Sequence, residues 1–70
     1  MQLREQIRYK VVQRLDEIER LVKQQIHLTN PERVVDLLSE VDKFFTVLTE
    51  DEKDFIGAVS FATRTKTRWD

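Results

Sequence analysis

The chain has one proline, Pro31, and it limits the fold more than any other single residue. The residue before a proline is driven out of the helical region, so no regular helix runs through Asn30. The same proline suits the first position of a new helix, where its φ is already helical and the N–H it lacks would be unpaired anyway. Asn30 is expected to cap that helix with its side-chain oxygen. Beyond it, Val34, Leu37, Leu38, Val41, Phe44, Phe45 and Leu48 return at steps of three and four, with Glu32, Asp36, Ser39, Glu40 and Lys43 opposite. The spacing predicts an amphipathic helix over 31–48.

Upstream, Leu3, Ile7, Val11, Leu15, Ile18, Val22 and Ile26 recur mostly at steps of four, longer than the heptad average. That period favours a straight helix over 3–28 and disfavours a left-handed coiled coil. Asp16 with Arg20 and Glu19 with Lys23 stand at i, i+4 in the favourable order on its outer face. The connection at 28–31 is short enough to force an antiparallel hairpin. Downstream, Thr49 and Glu52 have capping-box spacing, and Glu50, Asp51 and Asp54 add negative charge at the positive end of a third helix. Phe55, Ala58, Val59 and Ala62 form its expected core face, with Ile56 on the flank and Gly57 and Phe61 pointing elsewhere. From Arg64 onward threonines alternate with basic residues, which lowers helix propensity. The expected fold is all-α: an antiparallel three-helix bundle with helices near 3–28, 31–48 and 50–63. Residues 1–63 form its single domain, and residues 64–70 a flexible or extended basic tail.

Seventy residues without cysteine must hold this fold without a disulfide or a thiolate metal site, near the lower size limit for a single core. The first helix outruns the second, so Leu3 and Ile7 are expected to overhang and to be covered by a second copy. No apolar run approaches the roughly 20 residues that span a bilayer, and the opening Met-Gln-Leu-Arg-Glu has no signal-peptide core. A cytoplasmic location without membrane contact is therefore expected. The net charge of −1 hides a segregation. Residues 1–28 carry six Lys/Arg against four Asp/Glu, residues 29–54 three against eight, and residues 55–70 three against one. An acidic middle between basic ends does not describe a general nucleic-acid binder.

The single histidine, His27, has no Ser, Cys or second His partner for catalysis or metal binding, and a structural or surface role is expected. The acidic group Glu50, Asp51, Glu52 and Asp54 lacks the alternating ligands and central glycine of a calcium loop, and helix capping accounts for it. Glu32, Asp36 and Glu40 form a like-charged row whose bland reading is a solvated face and whose sharper one is a surface for a basic partner. No cofactor and no enzymatic activity are expected. Phe61, with Leu3 and Ile7, is a candidate partner contact. Arg4, Arg8, Arg64, Lys66, Arg68 and Trp69 are candidate nucleic-acid contacts, since cations beside an aromatic can combine phosphate contact with base stacking. Trp69 can equally cover an edge of the core.

The segment Leu48-Thr49-Glu50-Asp51-Glu52-Lys53-Asp54-Phe55-Ile56, with Ala62 and the terminal Arg68-Trp69, resembles the small helical proteins encoded beside the UvsW helicase in T-even-type bacteriophages and cyanophages. The likeness covers about twenty residues and the general architecture. It implies a compact helical bundle similar to the accessory nucleic-acid-binding modules of RecQ-type helicases, acting in DNA replication or recombination without catalysis of its own. An apolar supply larger than one face needs, with no catalytic constellation, makes the expected function a non-catalytic helical interaction module, homodimeric and binding a protein partner. The alternative is a nucleic-acid-binding accessory protein that uses the basic ends.

Overall fold

The computed structural model describes residues 2–70; Met1, the first residue of the expected 1–63 domain, lies outside them. The chain is all-α. In order it forms α1 (Leu3–Lys23), α2 (Ile26–Thr29), α3 (Pro31–Asp42), a 3-10 turn (Phe45–Val47) and α4 (Glu50–Thr65), with no strand among the described residues. The molecule is elongated, 38 × 19 × 18 Å.

The core follows the helical periods. Val11, Leu15, Ile18 and Val22 of α1 meet Val34, Leu37, Leu38 and Val41 of α3, and Leu48 and Val59 complete one buried cluster. Ile7, Leu21, Val47, Phe55, Ile56 and Trp69 pack around it, half-buried. Ion pairs join α1 to α3 on the outside, from Arg14 to Glu40 at 3.3 Å and from Arg33 to Glu17 at 3.2 Å.

Three helix boundaries differ from the sequence-based expectation. The first helix stops at Lys23 rather than near 28, because Gln25 adopts the left-handed conformation at φ 61. The chain turns there and resumes as the single turn α2, which packs against α1, α3 and α4. This shift replaces Ile26 by His27 as the buried residue: His27 is 1% exposed, whereas Ile26 is only half-buried. The second helix ends at Asp42 rather than 48. A helix reaching Leu48 would leave Thr49 alone to reverse the chain before α4. Instead Phe44 to Val47 turn tightly, and Leu48 is extended at φ −84, ψ 144, which buries its side chain and sets up the α4 start. Phe44 and Phe45, expected in the core, are exposed as a result. Lys53 lies over the Phe45 ring, 4.7 Å from its centroid.

The last helix extends two residues beyond 63, to Thr65. Lys66 then takes φ 58, and the Thr67 N–H donates to the Ala62 carbonyl, the six-to-one bond of a Schellman ending. Alternating threonines weaken a helix in isolation, but two of them find local partners: Thr63 and Thr65 donate their hydroxyls to the Val59 and Phe61 carbonyls.

The two predicted helix starts fare differently. Asn30 makes no side-chain cap bond, and its N–H donates to the Ile26 carbonyl, so Pro31 starts α3 through its fixed φ alone. At Thr49 the capping box forms in full. The Glu52 N–H donates to Thr49 Oγ1 at 3.2 Å, and the Thr49 N–H donates to Glu52 Oε1 at 2.8 Å.

Candidate interaction surface

α4 carries the residues of most functional interest, and its two ends are anchored differently. At its start, the Arg8 guanidinium reaches across from α1. Nη1 and Nη2 donate to the two Glu52 carboxylate oxygens at 2.6 and 2.9 Å, and Nη1 also donates to the Val47 carbonyl at 3.2 Å. Glu52 therefore closes the capping box and receives a bidentate arginine at once. The Arg8 bond, more than any other cause, holds the Glu52 carboxyl below the usual carboxylate range, and the pairing raises the Arg8 pKa in turn. Arg8 is consequently a tie between α1 and α4, with both terminal nitrogens bonded within the chain.

At the other end, the tail, expected to be flexible or extended, is bonded to the turn after α1. The Gln25 carboxamide takes both backbone groups of Trp69: Nε2 donates to the Trp69 carbonyl at 2.7 Å, and Oε1 accepts from the Trp69 N–H at 2.8 Å. His27 Nε2 lies 2.7 Å from the Thr67 carbonyl. A carbonyl only accepts, so Nε2 carries the hydrogen. Nδ1 is buried without a partner among the described residues. The Trp69 ring meets Phe55 edge to face, 5.7 Å between centroids at 85°. Trp69 thus covers an edge of the core, the second of the two roles its sequence position allowed.

Nothing in the spacing of Gln25, His27 and Trp69 reveals this arrangement, since glutamine carries no helix-stop signal and the partners lie 40 or more positions apart. The apolar period even runs on from Val22 to Ile26, which is why the sequence predicts an unbroken helix there.

The remaining candidates fall apart in space. Leu3 is 72% exposed at the start of α1 and Phe61 is 56% exposed on the outside of α4, but Ile7 packs against the core and does not overhang freely. Arg4, Arg64, Lys66 and Arg68 are exposed and form no ion pair among the described residues. Arg4 sits at the start of α1. Arg64 stands in the last turn of α4, and Lys66 and Arg68 follow its end, near the end of α1 where Gln25 binds Trp69.

Ala58, expected in the core, is exposed, and Thr63 takes a buried place instead. Hence the outer side of α4 presents Asp54, Gly57, Ala58, Phe61 and Arg64 together, all exposed. A Cβ added at Gly57 would meet nothing within 4 Å, so this glycine serves no close packing inside the molecule. Beside this face runs an apolar groove between α3 and α4, floored by Leu38 and Ile56, with exposed Val35 on one wall and Ser60 and Arg64 on the other. Among the described residues no three His, Cys, Asp or Glu side chains gather as a metal site, and no helix is long and apolar enough to cross a membrane. Comparison with protein-family models, curated proteins and solved structures gives no match.

Proposed function

We propose that the chain is a non-catalytic helical interaction module, a homodimer that binds a protein partner in the cytosol. Its frame is an antiparallel three-helix bundle in which α2 is a displaced last turn of the first helix. The observation that carries the reading is Phe61, a large apolar side chain 56% exposed in the middle of a regular helix, on the face opposite the filled core. Leu3 adds a second exposed anchor at the start of α1. By the resemblance of the 48–56 segment and the Arg68-Trp69 end, the protein partner is a UvsW-type helicase and the setting is phage DNA replication or recombination.

Binding of a purified UvsW-type helicase to the full chain tests this, with Leu3→Asp and Phe61→Asp variants whose circular dichroism matches the parent. Ile7 is unsuited, since a charge there would strike the core packing it belongs to. Binding lost by roughly tenfold in either variant supports the reading. Absence of binding, or binding indifferent to both variants, refutes it.

A second reading rests on Arg64, Lys66 and Arg68, three exposed cations without carboxylate partners among the described residues, at one end of the molecule. In it the chain is a nucleic-acid accessory that contacts phosphates through these three and Arg4, without Arg8 and without base stacking by Trp69. Affinity for single-stranded DNA would then fall steeply with salt and drop when the three are changed to glutamine. DNA affinity unchanged in that triple variant removes this reading.

A further inference from the structure

The spacing of the outer face of α4 is the same in both directions, and its residues are complementary when reversed. Asp54, Gly57, Phe61 and Arg64 are spaced by three, four and three, so they share one helix face about 80° wide. Placed antiparallel against a second α4 about a two-fold axis at position 59, Asp54 falls opposite Arg64, Gly57 opposite Phe61, and Ala58 opposite Ser60. Every position thus meets a complement. The two ionic positions lie roughly 15 Å apart along the helix, and the symmetry makes each pair twice.

We infer that α4 pairs antiparallel with the α4 of a second copy, each Phe61 ring seated over the partner helix at its glycine and two Asp54–Arg64 ion pairs closing the ends. This rests on the reading of the chain as a homodimeric interaction module and names the face that dimerises.

Three independent features of the single chain support it. Asp54 and Arg64 have no ion-pair partner among the described residues, although six other pairs form. Gly57 is a mid-helix glycine at an ordinary helical φ with open space above its Cα, a costly choice for a lone helix and a useful one where a partner ring must come close. Phe61 needs covering, and the α3–α4 groove bordering the same face through Ser60 and Arg64 leaves Val35 available to widen the contact. The charge arrangement also selects orientation: a parallel pairing sets Asp54 against Asp54 and Arg64 against Arg64, which repel. One helix face covers less than the roughly 1,200 Å² of a standard interface, so the dimer belongs to the weak, concentration-dependent class.

Sedimentation equilibrium of the full chain between about 10 µM and 1 mM tests the pairing, since a small interface calls for high concentration. Asp54→Arg alone and Arg64→Asp alone each turn two attractions into two repulsions and should weaken self-association roughly tenfold or more. Mixing the two single variants should restore it, because one chain then presents arginine at both ionic positions and its partner presents aspartate at both. The double variant D54R/R64D should recover it too. Circular dichroism of each variant separates lost association from lost fold, and Phe61→Ala, which removes a mostly exposed side chain, gives a second route to the same loss. Dimers that ignore all these changes overturn the α4 pairing and leave the homodimer reading in place on another face. A chain that stays monomeric at 1 mM overturns both, while helicase binding and its loss in Leu3→Asp, a residue outside this face, test the protein-partner part of the reading separately.

Discussion

Replacing either partner of the Arg8–Glu52 pair should destabilise the fold by an amount the geometry lets one apportion. Glu52 serves Arg8 through two charge-assisted bonds of 2.6 and 2.9 Å and serves Thr49 through the capping box. Glu52→Gln keeps an oxygen for the Thr49 N–H and so isolates the ionic part. Arg8→Met keeps most of the aliphatic stem but also loses the bond to the Val47 carbonyl. Hydrogen bonds to charged groups contribute about 1.5–3 kcal/mol when desolvated. The Arg8 side chain is 35% exposed and Glu52 20%, so screening brings the coupling to about 1 kcal/mol. A double-mutant cycle of R8M, E52Q and their combination, followed by thermal unfolding, should show that coupling as about 4–8 °C beyond additivity in a domain of this size. The sign with pH is fixed by the direction of the shift. Glu52 is held below its unfolded value, so its contribution is complete above the ordinary glutamate range and is lost as pH falls through the lower folded value. The parent should therefore lose stability more steeply than E52Q on acidification through that window. A coupling under about 0.3 kcal/mol at neutral pH, within the error of additivity, would refute the view of this pair as the tie between α1 and α4.

Trp69 is the only tryptophan, which makes tail release directly visible. Gln25→Gly should remove the two bonds to Trp69 while easing the left-handed backbone, so emission shifts to the red and quenching rises with a change in unfolding temperature below about 5 °C; unchanged emission would show that Phe55 holds the ring without the carboxamide. Gly57→Ala should stabilise the dilute chain by roughly 0.5–1 kcal/mol, since the added methyl meets open space, and a loss of stability in denaturant titration would contradict that. Ile18→Ala, at a fully buried site, should cost about 3 kcal/mol and leave little folded chain, whereas Phe61→Ala should cost under about 0.5 kcal/mol in the monomer; comparable losses in the two would overturn the division between core and outer face.

α4 holds these experiments together because its two sides do different work. Val59, Ala62 and Thr63 face inward and are buried. Glu52 and Phe55 receive Arg8 from α1 and Trp69 from the tail. With those contacts in place the helix is held firmly enough to offer Asp54, Gly57, Phe61 and Arg64 as a rigid row, which keeps the entropic cost of docking low.

The amino-acid order alone determined the all-α class, the break at Pro31, the capping box at Thr49 and Glu52, and the buried stripes Val11 to Val22 and Val34 to Val41. All of these depend on neighbours within one or two turns, where spacing and backbone chemistry act directly. It also marked Phe61 as lying off the core face. Tertiary packing decided the rest. The left-handed turn at Gln25, the burial of His27 and the docking of Trp69 each involve partners tens of residues away, and no local propensity encodes them. Gln25 shows the reason most plainly. A glutamine at φ 61 is unfavourable locally, and what accompanies it is a carboxamide that satisfies both backbone groups of Trp69, 44 positions along the chain.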